Sequence, residues 1–274
     1  MTTVPFSLTR VGLIAAVTLR EAVRQKLVAG LALIACGFVL GVRALRDFNF
    51  GAPELKFIAD FGDGVIAGFG AVLTIVLLAQ LFFGELESRT ALTLLAKPVW
   101  RSEFLLGKFC GVVAVVVVFC VLLTATLSVV LWQRESALRV EGFATLPAGV
   151  GFDPGALWVA AWLHIVRLTV LAAGMMLVAC IAQTQLYAII VGFSGFVVCH
   201  LQHVAQGVYS RAGSSAMAWV ATLIGWMFPD FHLFTLEAGG AWTFEGVARL
   251  TVYGAGYAAL ALGLAVWVFR HREI

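Results

Sequence analysis

The sequence predicts an all-α integral membrane protein with six transmembrane helices, a helix lying in the interface before them, and a short cytoplasmic helix between spans two and three. Three observations carry this prediction. Of 274 residues, 62% are hydrophobic and only 12% charged, whereas a soluble domain is about 25% charged and about 45–50% apolar. Six apolar stretches are long enough to cross lipid, which takes roughly 20 residues for about 30 Å of hydrocarbon. Their apolar character is continuous, as in helices that satisfy their own backbone groups, and does not alternate as in barrel strands.

Taken in order, the spans are expected at about 27–46, 64–84, 109–132, 157–181, 186–206 and 248–269, within a single membrane domain covering 1–274. Residues 1–26 precede the first span. At 100° per residue, Leu8, Val11, Gly12, Ala15, Ala16, Leu19, Ala22 and Val23 fill one arc, and Arg10, Arg20, Glu21 and Arg24 fall opposite. Such a helix is expected to lie in the interface plane, cations toward anionic headgroups of the membrane lipids. The alternative is a plain extension of the first span. Early charges at Arg10, Arg20, Glu21, Arg24 and Lys26 argue against a signal peptide.

The stretches 47–63 and 133–155 are read as polar external loops. The segment 207–247 holds Trp219, Trp226, Phe228, Phe231, Phe234, Trp242 and Phe244, residues suited to a membrane–water boundary. Within it, Met217 to Phe228 is too short to span and reads as a re-entrant or interfacial helix stopped by Pro229.

Charge sets the orientation. With both termini and the 85–108 segment on one side, that side holds ten basic and five acidic residues; the other holds seven and ten. The basic-rich side is expected to be cytoplasmic. A net charge of +3 without a long basic run gives nucleic acid little to hold. The five cysteines (Cys36, Cys110, Cys120, Cys180, Cys199) sit in apolar stretches without a CxxC pair, and read as small hydrophobes.

The stretch Gly84 to Lys108, GELESRTALTLLAKPVWRSEFLLGK, carries the functional signal. Thr90 to Ala96 suits a short helix that Lys97-Pro98 would end, because the residue before proline avoids helical backbone. A second helical run is expected from Ser102 as N-cap, followed by Glu103, into the third span. A short helix beside a rigid turn can pass motion between a soluble engine and the spans.

Glu85-x-Glu87-x-x-Thr90, Leu94-Leu95, Pro98, Arg101 and Gly107-Lys108 resemble the cytoplasmic loop of type-2 ABC (ATP-binding cassette) exporter permeases, in particular the gliding-motility and nitrous-oxide-reductase-maturation branch. Leu19-Arg20-Glu21 with Arg24 and Lys26 is similar to that family's pre-span helix, and Phe269-Arg270-His271-Arg272-Glu273 to its ending. The resemblance implies an inner-membrane exporter subunit paired with a second permease copy or a homologue. It also implies docking to a separate ABC ATPase subunit, which carries the ATP and Mg. On that analogy Glu85, Glu87, Arg89, Thr90, Lys97, Pro98 and Arg101 form the docking surface of the coupling helix. The chain itself has no P-loop: Gly107-Lys108 is followed by Phe109 and lacks the upstream glycine. No catalytic residue and no directly bound cofactor are expected.

Arg167 falls inside the fourth span, three residues after His164. A charge at that depth costs about 2.5–3.5 kcal/mol on insertion scales, so it tends to be paired or to face a cavity. His164 and Arg167 are therefore candidates for a substrate pathway, touching a polar or anionic substrate. The competing expectation is an arginine that snorkels outward. His164, His200 and His203 also allow a haem, metal or redox subunit, although no metal site is assigned. A third reading is a non-transporting anchor that recruits a soluble partner through 85–108. Gly37/Gly41, Gly64/Gly68 and Gly107/Gly111 are spaced for close helix approach.

Overall fold

A computed structural model of the protein describes residues 6–44, 54–87, 100–140, 153–209, 225, 228–235 and 243–271. Among these the regular structure is helical, without a strand. In order come α1 (Leu8–Arg24), α2 (Lys26–Gly41), α3 (Glu54–Glu87), α4 (Arg101–Val140), α5 (Pro154–Ile181), α6 (Gln185–Tyr209) and α7 (Phe244–His271), with a short 3-10 helix at Phe231–Phe234 between α6 and α7. The six helices α2 to α7 are long and apolar enough to cross a membrane. The protein is an all-α, multi-pass membrane protein. Most of the expected re-entrant stretch, and the Thr90–Ala96 helix, lie outside the described residues.

Helices α3 and α4 run well past the apolar stretches 64–84 and 109–132. They hold 34 and 40 residues, about 51 and 60 Å at 1.5 Å per residue. The polar residues before α3's apolar stretch and after α4's are therefore helical from Glu54 and up to Val140, where external loops were expected. An ion pair explains why these turns stay wound. Arg134 Nε and Nη2 donate to Glu54 Oε1 and Oε2 at 2.7 and 3.0 Å, a bidentate geometry that clamps the two ends side by side.

Helix α5 starts where the sequence offers both a cap and a proline. Asp153 Oδ1 accepts the Gly155 N–H at 2.8 Å, and Pro154 occupies the first turn, where its missing N–H is harmless. The helix stops at Ala182 in extended backbone. Two residues on, Thr184 Oγ1 accepts the Tyr187 N–H at 3.3 Å and opens α6. Helices α5 and α6 thus turn back tightly on one another.

Helices α3 and α5 are the most enclosed spans, while α2, α6 and α7 are the most exposed. Lipid gives apolar helices little reason to associate, so close packing must hold them together. Leu168 of α5 sits where a Cβ on Gly70 of α3 would be, 2.6 Å away, and Val166 does the same at Gly254 of α7, 2.5 Å away. Leu33, Leu186, Val252 and Trp267 point outward with their apolar surface uncovered, as lipid-facing residues do. Phe231 and Phe234, expected at a boundary, are instead buried at 1% exposure each and pack with Phe196 and Tyr253.

Helix α1 is distinct from α2, since Gln25 between them is extended (φ −73°, ψ 126°). It lies lengthwise against the first turns of α4. Cβ atoms on Gly107 and Gly111 would meet the Cβ atoms of Ile14 and Thr18, each at 2.6 Å. The register is four residues to four, so the two helices run parallel. Of the arc expected to face lipid, Val11 and Ala22 are buried while Leu8 and Val23 stay exposed. Protein therefore covers part of that arc. The Gly37/Gly41 and Gly64/Gly68 pairs have nothing within 4 Å of an added Cβ among the described residues.

Candidate functional site

Two polar assemblies stand out from this apolar bundle. The first lies where α3 ends and α4 begins, here called the junction end. Glu103 occupies the third position of α4 and is fully buried. Its Oε2 accepts the Trp100 N–H at 3.1 Å, closing the helix start as the glutamate of a capping box does. The N-cap position is thus Trp100, and Ser102, expected there, lies in the first turn. Glu103 Oε1 also accepts the Ser7 N–H at 2.7 Å, and Oε2 pairs with Arg10 at 3.2 Å. One carboxylate thereby fixes the start of α1 to the start of α4.

One turn further, Lys108 ties α4 to α3. It is 2% exposed; its Nζ donates to the Leu81 carbonyl and meets Glu85 Oε1 at 2.7 Å. Arg101 reaches sideways instead. Its Nη1 donates to the carbonyls of Phe269 and Arg270 at 3.2 and 3.1 Å, groups left without intrahelical partners at the end of α7. Phe269 is wedged between Phe82 of α3 and Phe104 of α4, at centroid distances of 6.0 and 6.3 Å. Helices α1, α3, α4 and α7 therefore meet at one knot, with both described chain ends beside it.

Of the proposed docking residues, Glu85 and Glu87 end α3 and Arg101 starts α4. The knot brings Glu85 and Arg101 to the same end of the bundle. Arg89, Thr90, Lys97 and Pro98 lie outside the described residues. Sequence reading missed Glu103 and Lys108 as organisers of this end. Glu103 stands out in the sequence only as the residue after the expected N-cap Ser102.

The second assembly joins α3 to α5, with its histidine and arginine buried and its carboxylate partly open. His164 Nε2 donates to Asp63 Oδ1 at 2.5 Å, and Arg167 Nη2 donates to His164 Nδ1 at 2.8 Å. A guanidinium can only donate, so this geometry requires the neutral His164 tautomer with its proton on Nε2. His164 and Arg167 are each 2% exposed, so Arg167 does not snorkel outward. Asp63 keeps 36% of its side chain open. Asp63, Cys120 of α4 and His200 of α6 stand within electrostatic range of the guanidinium.

His203 stacks on His232 at 4.2 Å with planes 6° apart, while His200 lies against Phe196. Among the described residues, no group of three or more His, Cys, Asp or Glu side chains is arranged to hold a metal ion. Asp63 was not among the expected partners of His164, from which it is separated by 101 residues.

Comparison with known families decides the identity. Residues 13–273 match the family described as ABC-2 family transporter protein, which is nearly the whole chain. The chain belongs to that family. It is an ABC transporter permease, and the six spans are its transmembrane part. A comparison with curated proteins gave no match. In this permease the junction knot adjoins the segment between spans two and three, and the Asp63–His164–Arg167 row lies inside the span bundle.

Proposed function

We propose that this permease is the membrane subunit of an exporter driven by a separate ABC ATPase, which grips the 85–108 segment from the cytoplasm. The observation that carries the reading is family membership over residues 13–273. The charge asymmetry supports placing both termini and this segment on the cytoplasmic side of a bacterial-type inner membrane. The docking surface comprises Glu85, Glu87, Arg89, Thr90, Lys97, Pro98 and Arg101. ATP and Mg belong to the ATPase, and a second permease copy or a homologue completes the membrane unit.

The junction knot supports a mechanical route. A push on the segment is delivered to α3 at Glu87 and to α4 at Arg101, the residues where those helices end and begin. From there Glu103 passes it to α1 and Arg101 to the end of α7. Rigid helices joined at buried ion pairs can switch between two packings that ATP binding biases. His164 and Arg167 lie on the route of the transported molecule in this reading.

The test is recovery of an ABC ATPase subunit, a chain with a GxxxxGK(S/T) P-loop, from cells expressing tagged full-length permease. Glu87→Arg and Pro98→Ala should each reduce recovery, and unchanged recovery from both would sink the assigned surface. ATP-dependent substrate movement in vesicles separates a transporter from a mere anchor.

A further inference from the structure

Arg167 is held in a way that structure alone does not require. Its guanidinium offers five N–H donors in a planar fork. Among the described residues its hydrogen-bond partner is one nitrogen of a neutral imidazole, at 2.8 Å. Nε is buried and meets no acceptor. A buried charge is normally paired and its hydrogen bonds filled, because the interior does not replace lost water. Asp63 could have supplied a direct ion pair, yet His164 is interposed and the carboxylate opens toward the surface instead.

We propose that the spare donors of Arg167 form a binding site for an oxyanion, a phosphate or carboxylate group. The proposal deepens the pathway reading of His164 and Arg167 and rests on it. A guanidinium fork matches such groups in two parallel hydrogen bonds and is weakly hydrated, which suits a site away from water. His164 takes one donor at Nη2 and bonds Asp63 through its other nitrogen, so Asp63 meets the fork only through the imidazole. Exposed His200 of α6 is in electrostatic range of Arg167, as is Asp63, whose charge repels an anion. With Arg167 only 2% exposed, the site is occluded in this packing and fills when the bundle opens.

The experiment uses full-length permease in phosphatidylcholine nanodiscs, titrated calorimetrically with hexyl phosphate and, as uncharged control, hexanol. Hexyl phosphate should bind saturably and hexanol should not. Arg167→Lys keeps the charge but loses the fork, and should weaken binding by roughly tenfold or more. The paired variant Asp63→Asn with Arg167→Gln removes both charges together, leaves neither ion alone, and should abolish binding. Replacing the lipid by phosphatidylglycerol distinguishes the source. Loss of hexyl phosphate binding there assigns the site to a lipid headgroup, and retained binding assigns it to a soluble anion. Equal affinity for hexyl phosphate and hexanol, or unchanged binding in the paired variant, overturns the proposal. Because no ATPase is present, failure here leaves the docking reading to its own pull-down test.

Discussion

Glu103 and Arg10 are 93 residues apart in the chain, yet their side chains meet at 3.2 Å. The same buried carboxylate accepts two backbone N–H groups, from Ser7 and Trp100. Three donors from two distant stretches of the chain converge on one acid.

Glu103→Ala should therefore lower stability by about 1–3 kcal/mol, since it removes the buried acid that joins Ser7, Arg10 and Trp100. Glu103→Gln keeps one acceptor oxygen and should fall between. Thermal unfolding of the detergent-purified protein reads both. Equal melting of Glu103→Ala and the parent would remove the carboxylate from its organising role.

A double-mutant cycle tests Lys108 against Glu85. Lys108→Met alone leaves the Glu85 carboxylate without its ammonium partner at 2.7 Å. Adding Glu85→Gln should recover part of the loss, with a coupling energy of about 1–3 kcal/mol. Additive losses would mean that the two side chains do not act together.

Glycine positions give a contrast within one chain. Gly107→Ala and Gly111→Ala force a methyl against Ile14 and Thr18, each 2.6 Å from the new Cβ. Overpacking of this kind typically costs about 1–3 kcal/mol. Gly64→Ala and Gly68→Ala meet nothing within 4 Å among the described residues, and should leave the isolated permease unchanged or slightly more stable. Melting curves of the four variants, run side by side, decide it.

At the far end, the Arg134–Glu54 clamp should tolerate exchange better than loss. Arg134→Ala should let the first turns of α3 and the last of α4 fray, seen as faster amide hydrogen exchange there. The swap of Glu54→Arg with Arg134→Glu should slow exchange again. Persistently fast exchange in the swap would show that local sequence, not the pair, governs these turns.

Much of the bundle was legible because lipid demands long apolar runs, and such runs need no partner to be recognised. Helix ends were harder. Leu55 and Ile58 are buried in turns of α3 that the surrounding charges made read as a loop, and the residue holding those turns wound, Arg134, lies 80 positions away. The spacing of Gly107 and Gly111 announced a close approach, but nothing in it named α1 as the neighbour. Likewise His164 and Arg167 advertised themselves by polarity at helical spacing. Their third member, Asp63, stood in an acidic stretch that resembled a surface loop, and a pairing between distant spans leaves no local trace.

Helix α4, unbroken over 40 residues, is long enough to act as a see-saw. At about 60 Å, a tilt of about 10° around its midpoint swings each tip by about 5 Å in opposite directions. Motion gripped at Arg101 would then arrive inverted at Arg134, so the bundle could narrow at one mouth as it widens at the other.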